Sequence, residues 1–122
     1  MSMKIQHFKD LIAWQKAHKT AVIVYTLSKK FPKEEIFGLT SQIRRSVVSI
    51  TSNIAEGFGR STVNDKNHFF TMARGSANET ESQLLIAKDL GYITLKECTE
   101  VEQQLVEIQK ILAGLMKSSF NK

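Results

Sequence analysis

The stretch SITSNIAEGFGR at residues 49–60 concentrates the groups of this chain that could do chemistry. Hydroxyls from Ser49, Thr51 and Ser52, the amide of Asn53 and the carboxylate of Glu56 are followed by Gly57, Gly59 and Arg60. On a helical wheel Gln42, Arg45, Ser49, Asn53 and Glu56 fall on one side, opposite an arc of Ile43, Val47, Ile50 and Ile54. The polar stripe offers a hydrogen bond at every step, and it is short-chained and mostly uncharged, unlike the Lys/Glu mixture of a freely solvated face. Its natural counterpart is MARGSANETESQL at 72–84, with Arg74, Ser76, Asn78 and Glu79. The expectation is a polar network of Asn53, Glu56, Arg74, Ser76 and Glu79 that either fixes helix register or forms a ligand site. Ion pairs in it need full hydrogen bonding, because an unpaired buried charge is strongly destabilising.

Catalytic and metal chemistry find no support. A di-iron bundle needs Glu-x-x-His pairs, and none of His7, His18 or His68 follows a glutamate by three. His18 lies on an apolar stripe with Trp14 and Val22, where a core-edge histidine with a hydrogen-bond partner is expected. Gly57-Phe58-Gly59 is a bare G-x-G after a helix, lacking the preceding strand and the further glycine and lysine of a phosphate loop. It reads as a helix stop, with positive φ expected at the glycines. No strand-to-helix nucleophile elbow is present. The single cysteine, Cys98, falls on an apolar helical stripe and reads as a buried structural thiol. The expectation is a protein with no catalytic residue, no metal and no cofactor.

Charge is distributed unevenly. Residues 1–60 hold ten Lys/Arg against four Asp/Glu, whereas residues 61–122 hold seven against eight. A basic first half is what a polyanion-binding face needs, since Lys and Arg near phosphates release condensed counterions. No apolar run approaches the roughly 18 residues that span a bilayer, and MSMKIQHFKD lacks the continuous apolar segment of a signal peptide. The expected setting is the cytoplasm, without membrane contact.

These groups must be positioned by helices. Pro32 is the only proline, and strand-type alternation is nowhere sustained. The breaks predict helices from about Asp10 to Lys29, Glu34 to Glu56 with an irregular first turn at Gly38, Thr62 to Gly91, and Thr94 to Ser118. Thr62 with Asp65, and Thr94 with Glu97, have capping-box spacing. The fourth helix has a clean stripe of Val101, Leu105, Ile108, Leu112 and Leu115. The third mixes Phe69, Met72, Leu84 and Leu90 with the small or polar Ala73, Ser76, Ala77, Thr80 and Ala87, which permit close approach. Four amphipathic segments with short connections imply an all-α, antiparallel up-and-down four-helix bundle, with residues 1–122 as one domain.

The first helix carries two apolar stripes on roughly opposite sides, Leu11, Trp14, Val22 and Tyr25 against Ala13, Ala17, Val24 and Leu27. One bundle core covers only one of them, so a homo-oligomer is expected to cover the other.

The motifs QIRRSVVSITSNIAEGFGR (42–60), FKDLIAWQKAH (8–18), FPKEEIFGLTSQ (31–42) and MARGSANETESQL (72–84) resemble the 23S rRNA intervening-sequence proteins, the S23 four-helix bundle family. The resemblance covers about residues 8–92, and Thr51 stands where the family commonly has proline. It implies a small, cytoplasmic bacterial bundle that assembles as a ring-like pentamer. It also implies a likeness to the accessory protein of diversity-generating retroelements, which binds nucleic acid and a reverse transcriptase. Together with the basic first half, this leads to the expectation of a non-enzymatic homopentamer that binds nucleic acid, structured RNA in particular. The candidate contacts are Lys16, Lys19, Lys29, Lys30, Lys33, Arg44, Arg45 and Arg60. The rival expectation is a scaffold that docks a partner protein without touching nucleic acid.

Overall fold

The computed structural model describes residues 5–120. Four α-helices follow one another: α1 (Ile12–Ser28), α2 (Leu39–Phe58), α3 (Val63–Asp89) and α4 (Leu95–Phe120). Short 3-10 turns, Phe8–Asp10 and Lys33–Glu35, precede α1 and α2. No strand occurs among the described residues. The expected domain limits, and part of the segment read for a signal peptide, lie outside them.

Each helix packs against its neighbour in the chain, and α4 closes against α1. The pairings run in opposite order. Ser46 meets Gln83 while Ser49 meets Ser76, Thr20 meets Gln104 while Lys30 meets Glu97, and Cys98 approaches Leu84 while Gln109 reaches Asn78. The result is the expected antiparallel four-helix bundle.

Local chemistry sets the helix ends. Thr62 accepts the Asp65 amide at 3.1 Å, which is the hydroxyl half of a capping box. Thr94 and Glu97 make both halves, at 2.9 and 3.1 Å. Gly91 has φ +80°, and the bonds Tyr92 N–H to Ala87 O and Gly91 N–H to Lys88 O, both 2.9 Å, form a Schellman close to α3. The second helix starts later than expected, at Leu39 rather than Glu34. Glu35 explains the delay: its carboxylate accepts the Leu39 amide at 3.1 Å and the Tyr92 hydroxyl at 2.9 Å, so it serves as the anchor before α2 instead of a residue within it. That carboxylate bond holds the Tyr92 hydroxyl above its usual pKa.

Gly57 and Gly59 correct the sequence reading. Gly91 alone has positive φ among the described residues; Gly57 lies inside α2, and Gly59 is right-handed at φ −78°. The requirement at Gly57 is space. A Cβ there would stand 2.7 Å from Cε1 of Phe70 and 3.2 Å from the Lys66 carbonyl. Glycine thus lets the N-terminal part of α3 cross close over the end of α2.

The core is built from stripes in heptad-like steps. In α2, Ile43, Val47, Ile50 and Ile54 are fully buried, and α4 contributes Cys98, Val101, Leu105, Ile108 and Leu112. In α3 the buried set is Phe70, Ala73, Ala77, Thr80, Gln83, Leu84 and Ala87. This shifts the expected face: Phe70 is 4% exposed and takes the place given to Phe69, while Met72 (44%) and Leu90 (55%) are exposed. The seam runs 70, 73, 77, 80, 84, 87, and positions 72 and 90 fall off it. In α1 the inward stripe is Ala13, Ala17, Thr20, Val24 and Ser28, whose small side chains let it lie close to α2 and α4. Leu11 is buried and Trp14 packs against the core, but Val22 and Tyr25 face outward.

Candidate nucleic-acid interface

The polar stripe of α2 faces α3 along part of its length. Asn53 Nδ2 donates to Ser49 O and Ser49 Oγ at 2.9 and 3.0 Å, and Ser76 Oγ donates to Ser49 Oγ at 2.9 Å. One turn earlier, Ser46 Oγ lies 2.8 Å from Thr80 Oγ1 and 2.7 Å from the Gln83 amide oxygen, while Thr80 donates to Ser76 O at 2.8 Å. This ladder satisfies buried hydroxyls and fixes the register of two helices. Asn53 and Ser76 belong to it. The other three expected members do not.

Arg74 turns toward α4, where its Nε donates to Gln109 Oε1 at 2.9 Å and Gln109 Nε2 donates back to Arg74 O at 3.1 Å. Glu56 pairs with Arg60 at 3.0 Å on its own side of the turn. Glu79 is exposed. The heptad seam explains these departures, since Arg74 and Glu79 each lie one position off the inward row of Ala73 and Thr80. Sequence reasoning missed Ser46, Thr80 and Gln83 because a wheel drawn for α2 alone does not show which rim α3 covers. It also missed Lys66, whose ammonium donates to the Phe58 carbonyl at 2.8 Å and closes the C-terminus of α2 across the turn.

Of the eight candidate cations, seven lie on α1, α2 and the connection between them. Residues 11–33 and 36–55 contain no Asp or Glu at all. The cations of these segments differ in what holds them. Lys16 pairs with Glu107 at 2.8 Å and Lys30 with Glu97 at 2.6 Å, both on α4. The Lys30 ammonium, with the Thr94 amide, holds the Glu97 carboxyl below its usual pKa. Arg44 crosses to α1: its Nε donates to Ser28 Oγ at 2.8 Å, and its guanidinium lies 4.8 Å over the Tyr25 ring. Arg60, beyond α2, stacks 4.5 Å over Phe69 in addition to its Glu56 pair. Lys19, Lys29, Lys33 and Arg45 are exposed and have no carboxylate within 4.0 Å among the described residues.

His18 stands beside this set. It is exposed and stacks on Trp14 with ring centroids 4.8 Å apart, in place of the hydrogen bond expected of a core-edge histidine. Cys98 is fully buried, and burial pushes its thiol up in pKa. Among the described residues no cluster of three His, Cys, Asp or Glu side chains is placed to hold a metal ion. No helix of the described residues is long and apolar enough to cross a membrane.

The family model for the 23S rRNA-intervening sequence protein matches residues 9–114. The chain belongs to this family. A solved structure agrees: a protein of unknown function from the S23 ribosomal protein family of Bacteroides thetaiotaomicron VPI-5482 superposes with a TM-score of 0.80 at 29% identity. The match covers 87% of this chain and 99% of that one. Among curated proteins no sequence matches this one. The family match takes in all four helices up to residue 114, so the carboxylate-free segments and the α2–α3 ladder both lie within the shared domain.

Proposed function

We propose that this family member is a non-enzymatic, cytoplasmic homo-oligomer, a pentamer, that binds nucleic acid, structured RNA in particular, through its α1–α2 side. The observation that carries the reading is the absence of any carboxylate from residues 11–33 and 36–55, segments that themselves hold seven Lys/Arg. The carboxylates that reach this side from α4, Glu107 and Glu97, are each engaged by a lysine. Lys19, Lys29, Lys33 and Arg45 are the primary contacts, because no intramolecular partner competes for them. The exposed pairs of Lys16, Lys30 and Arg60 are weak, about 0–1 kcal/mol each, so these residues exchange partners readily. Arg44 has a structural role over Tyr25 and Ser28. Repetition of one patch around an oligomer turns modest contacts into useful avidity. The family's description, which ties it to sequences intervening in 23S rRNA, favours RNA as the polyanion.

The test is a titration of the purified oligomer with structured RNA and duplex DNA at low and moderate salt. Binding is expected to weaken steeply with salt. Replacing Lys29, Lys33 and Arg45 together with Ala should reduce the salt slope by about three, one for each phosphate no longer neutralised. Absence of binding at low salt would remove this reading in favour of a scaffold that docks a protein. The exposed Ile86 on α3, Leu90 just beyond its end and Leu95 at the start of α4 would then be the surface to examine.

A further inference from the structure

The connection between α1 and α2 holds a phenylalanine out in solvent. Phe37 is 95% exposed, the most exposed large apolar side chain among the described residues. Tyr25, the other aromatic among the exposed large apolar side chains, already carries the Arg44 guanidinium 4.8 Å over its ring. Among the described residues no second ring and no cation stacks on Phe37.

The turn that bears this ring is well tied. Ile36 N–H donates to Lys33 O at 3.1 Å and Gly38 N–H to Glu35 O at 2.9 Å, while the Glu35 carboxylate accepts from Leu39 N–H and the Tyr92 hydroxyl. An aromatic side chain set on such a turn loses little freedom when a ligand covers it.

The groups beside the ring select the ligand. Lys33 is on the same turn and Lys29 ends α1, both exposed and without a carboxylate within 4.0 Å among the described residues. Four residues of extended chain reach at most about 14 Å, and the 3-10 turn between Lys33 and Phe37 shortens that span. Ammonium and ring therefore lie within reach of one nucleotide or two neighbouring ones. An apolar pocket closing over Phe37 would also have to desolvate Lys33 and Glu34, its exposed charged neighbours. A nucleotide instead offers a phosphate to the ammonium and a π-face to the ring. Glu34 offsets Lys33 on the turn itself, so the ring supplies affinity there that charge does not.

We propose that Phe37 is a stacking platform for an unpaired nucleobase, which makes looped or single-stranded RNA, rather than a closed duplex, the preferred ligand of this side. The inference rests on the nucleic-acid reading above and names the part of the RNA that is bound. Bases inside a duplex have their faces covered by one another, and only an unpaired base can lay its face on a side chain.

Titrations of the purified oligomer with two probes test this: a stem-loop RNA with an unpaired loop, and the same stem closed as a duplex without one. Phe37→Ala should weaken stem-loop binding by about tenfold, the loss of one stacked base, and leave duplex binding unchanged. The loss should be equal at low and moderate salt because stacking releases no counterions, whereas replacing Lys29 and Lys33 with Ala should lower the salt slope for both probes. Phe37→Leu keeps an apolar side chain without a π-face and should bind like the alanine variant. Phe37→Trp should bind like wild type, and its added tryptophan emission should be quenched by the stem-loop but not by the duplex. Wild-type affinity of Phe37→Ala or Phe37→Leu for the stem-loop, or an equal loss for both probes, would overturn the proposal and leave the nucleic-acid reading in place. So would a fall in the light-scattering mass of Phe37→Ala, which would mean that another copy covers the ring. A wild-type chain that binds neither probe at low salt removes the nucleic-acid reading itself, and this inference with it.

Discussion

The two sides of α2 solve opposite problems with similar residues. Toward α3, serines, Asn53 and Gly57 allow close approach, and every hydroxyl of the ladder finds a partner. Toward α1 and solvent, Val48 and Thr51 border an open depression that no part of the same chain fills. The difference teaches that an uncharged helix face has no fixed meaning. Small polar groups become structure when a second helix can reach them, and stay open to solvent when none does.

The comparison is most severely tested at Gly57. Gly57→Val drives a branched side chain into Phe70 and the Lys66 backbone, and overpacking of this kind should cost about 1–3 kcal/mol in chemical denaturation. Adding Phe70→Leu should recover part of that loss. Ser46→Ala comes next: it strips partners from Thr80 and Gln83 and should cost about 1–2 kcal/mol, whereas the exposed Ser52→Ala should stay within about 0.5 kcal/mol. Equal costs for the two serines would erase the distinction between the closed and open sides.

On the open side the sharper readout is concentration. Val22→Glu should leave the stability of a dilute subunit nearly unchanged but abolish any rise of Tm with protein concentration, because only the assembled form gains from that surface. The smallest effect is expected from acid. Glu102 raises the pKa of Glu81 across α3 and α4, chiefly through a shared proton and then through burial and like charge. A carboxyl raised in the folded state stabilises below its unfolded pKa, and that contribution disappears as pH rises through the folded value. Glu102→Gln should therefore flatten the decline in Tm just above the ordinary carboxylate range. An unchanged profile would show that the two carboxyls do not interact.

Much of the fold was legible in the sequence. The cap at Thr94 and Glu97, the stop at Gly91 and the α4 stripe are local or periodic features, and each stands where its residues predict. The candidate site was legible only as composition. Seven cations on an acid-free stretch can be counted from the sequence, but Lys16 and Lys30 find carboxylates on α4, far along the chain, and no local signal marks those pairs. The same limit moved Arg74 from the α2 network to Gln109, and gave Gly57 a steric role in place of a positive φ.

By itself the sequence determined four helices, the capped ends around Thr62, Gly91 and Thr94, an all-α bundle and a first helix with apolar residues on two sides, because propensity, capping and hydrophobic period act over a few residues. The tertiary structure decided which stripe of α1 turns inward, which hydroxyls of α2 meet α3, and which cations are left without partners. Those choices depend on contacts between residues distant in the chain, and only the packed arrangement of all four helices brings them together.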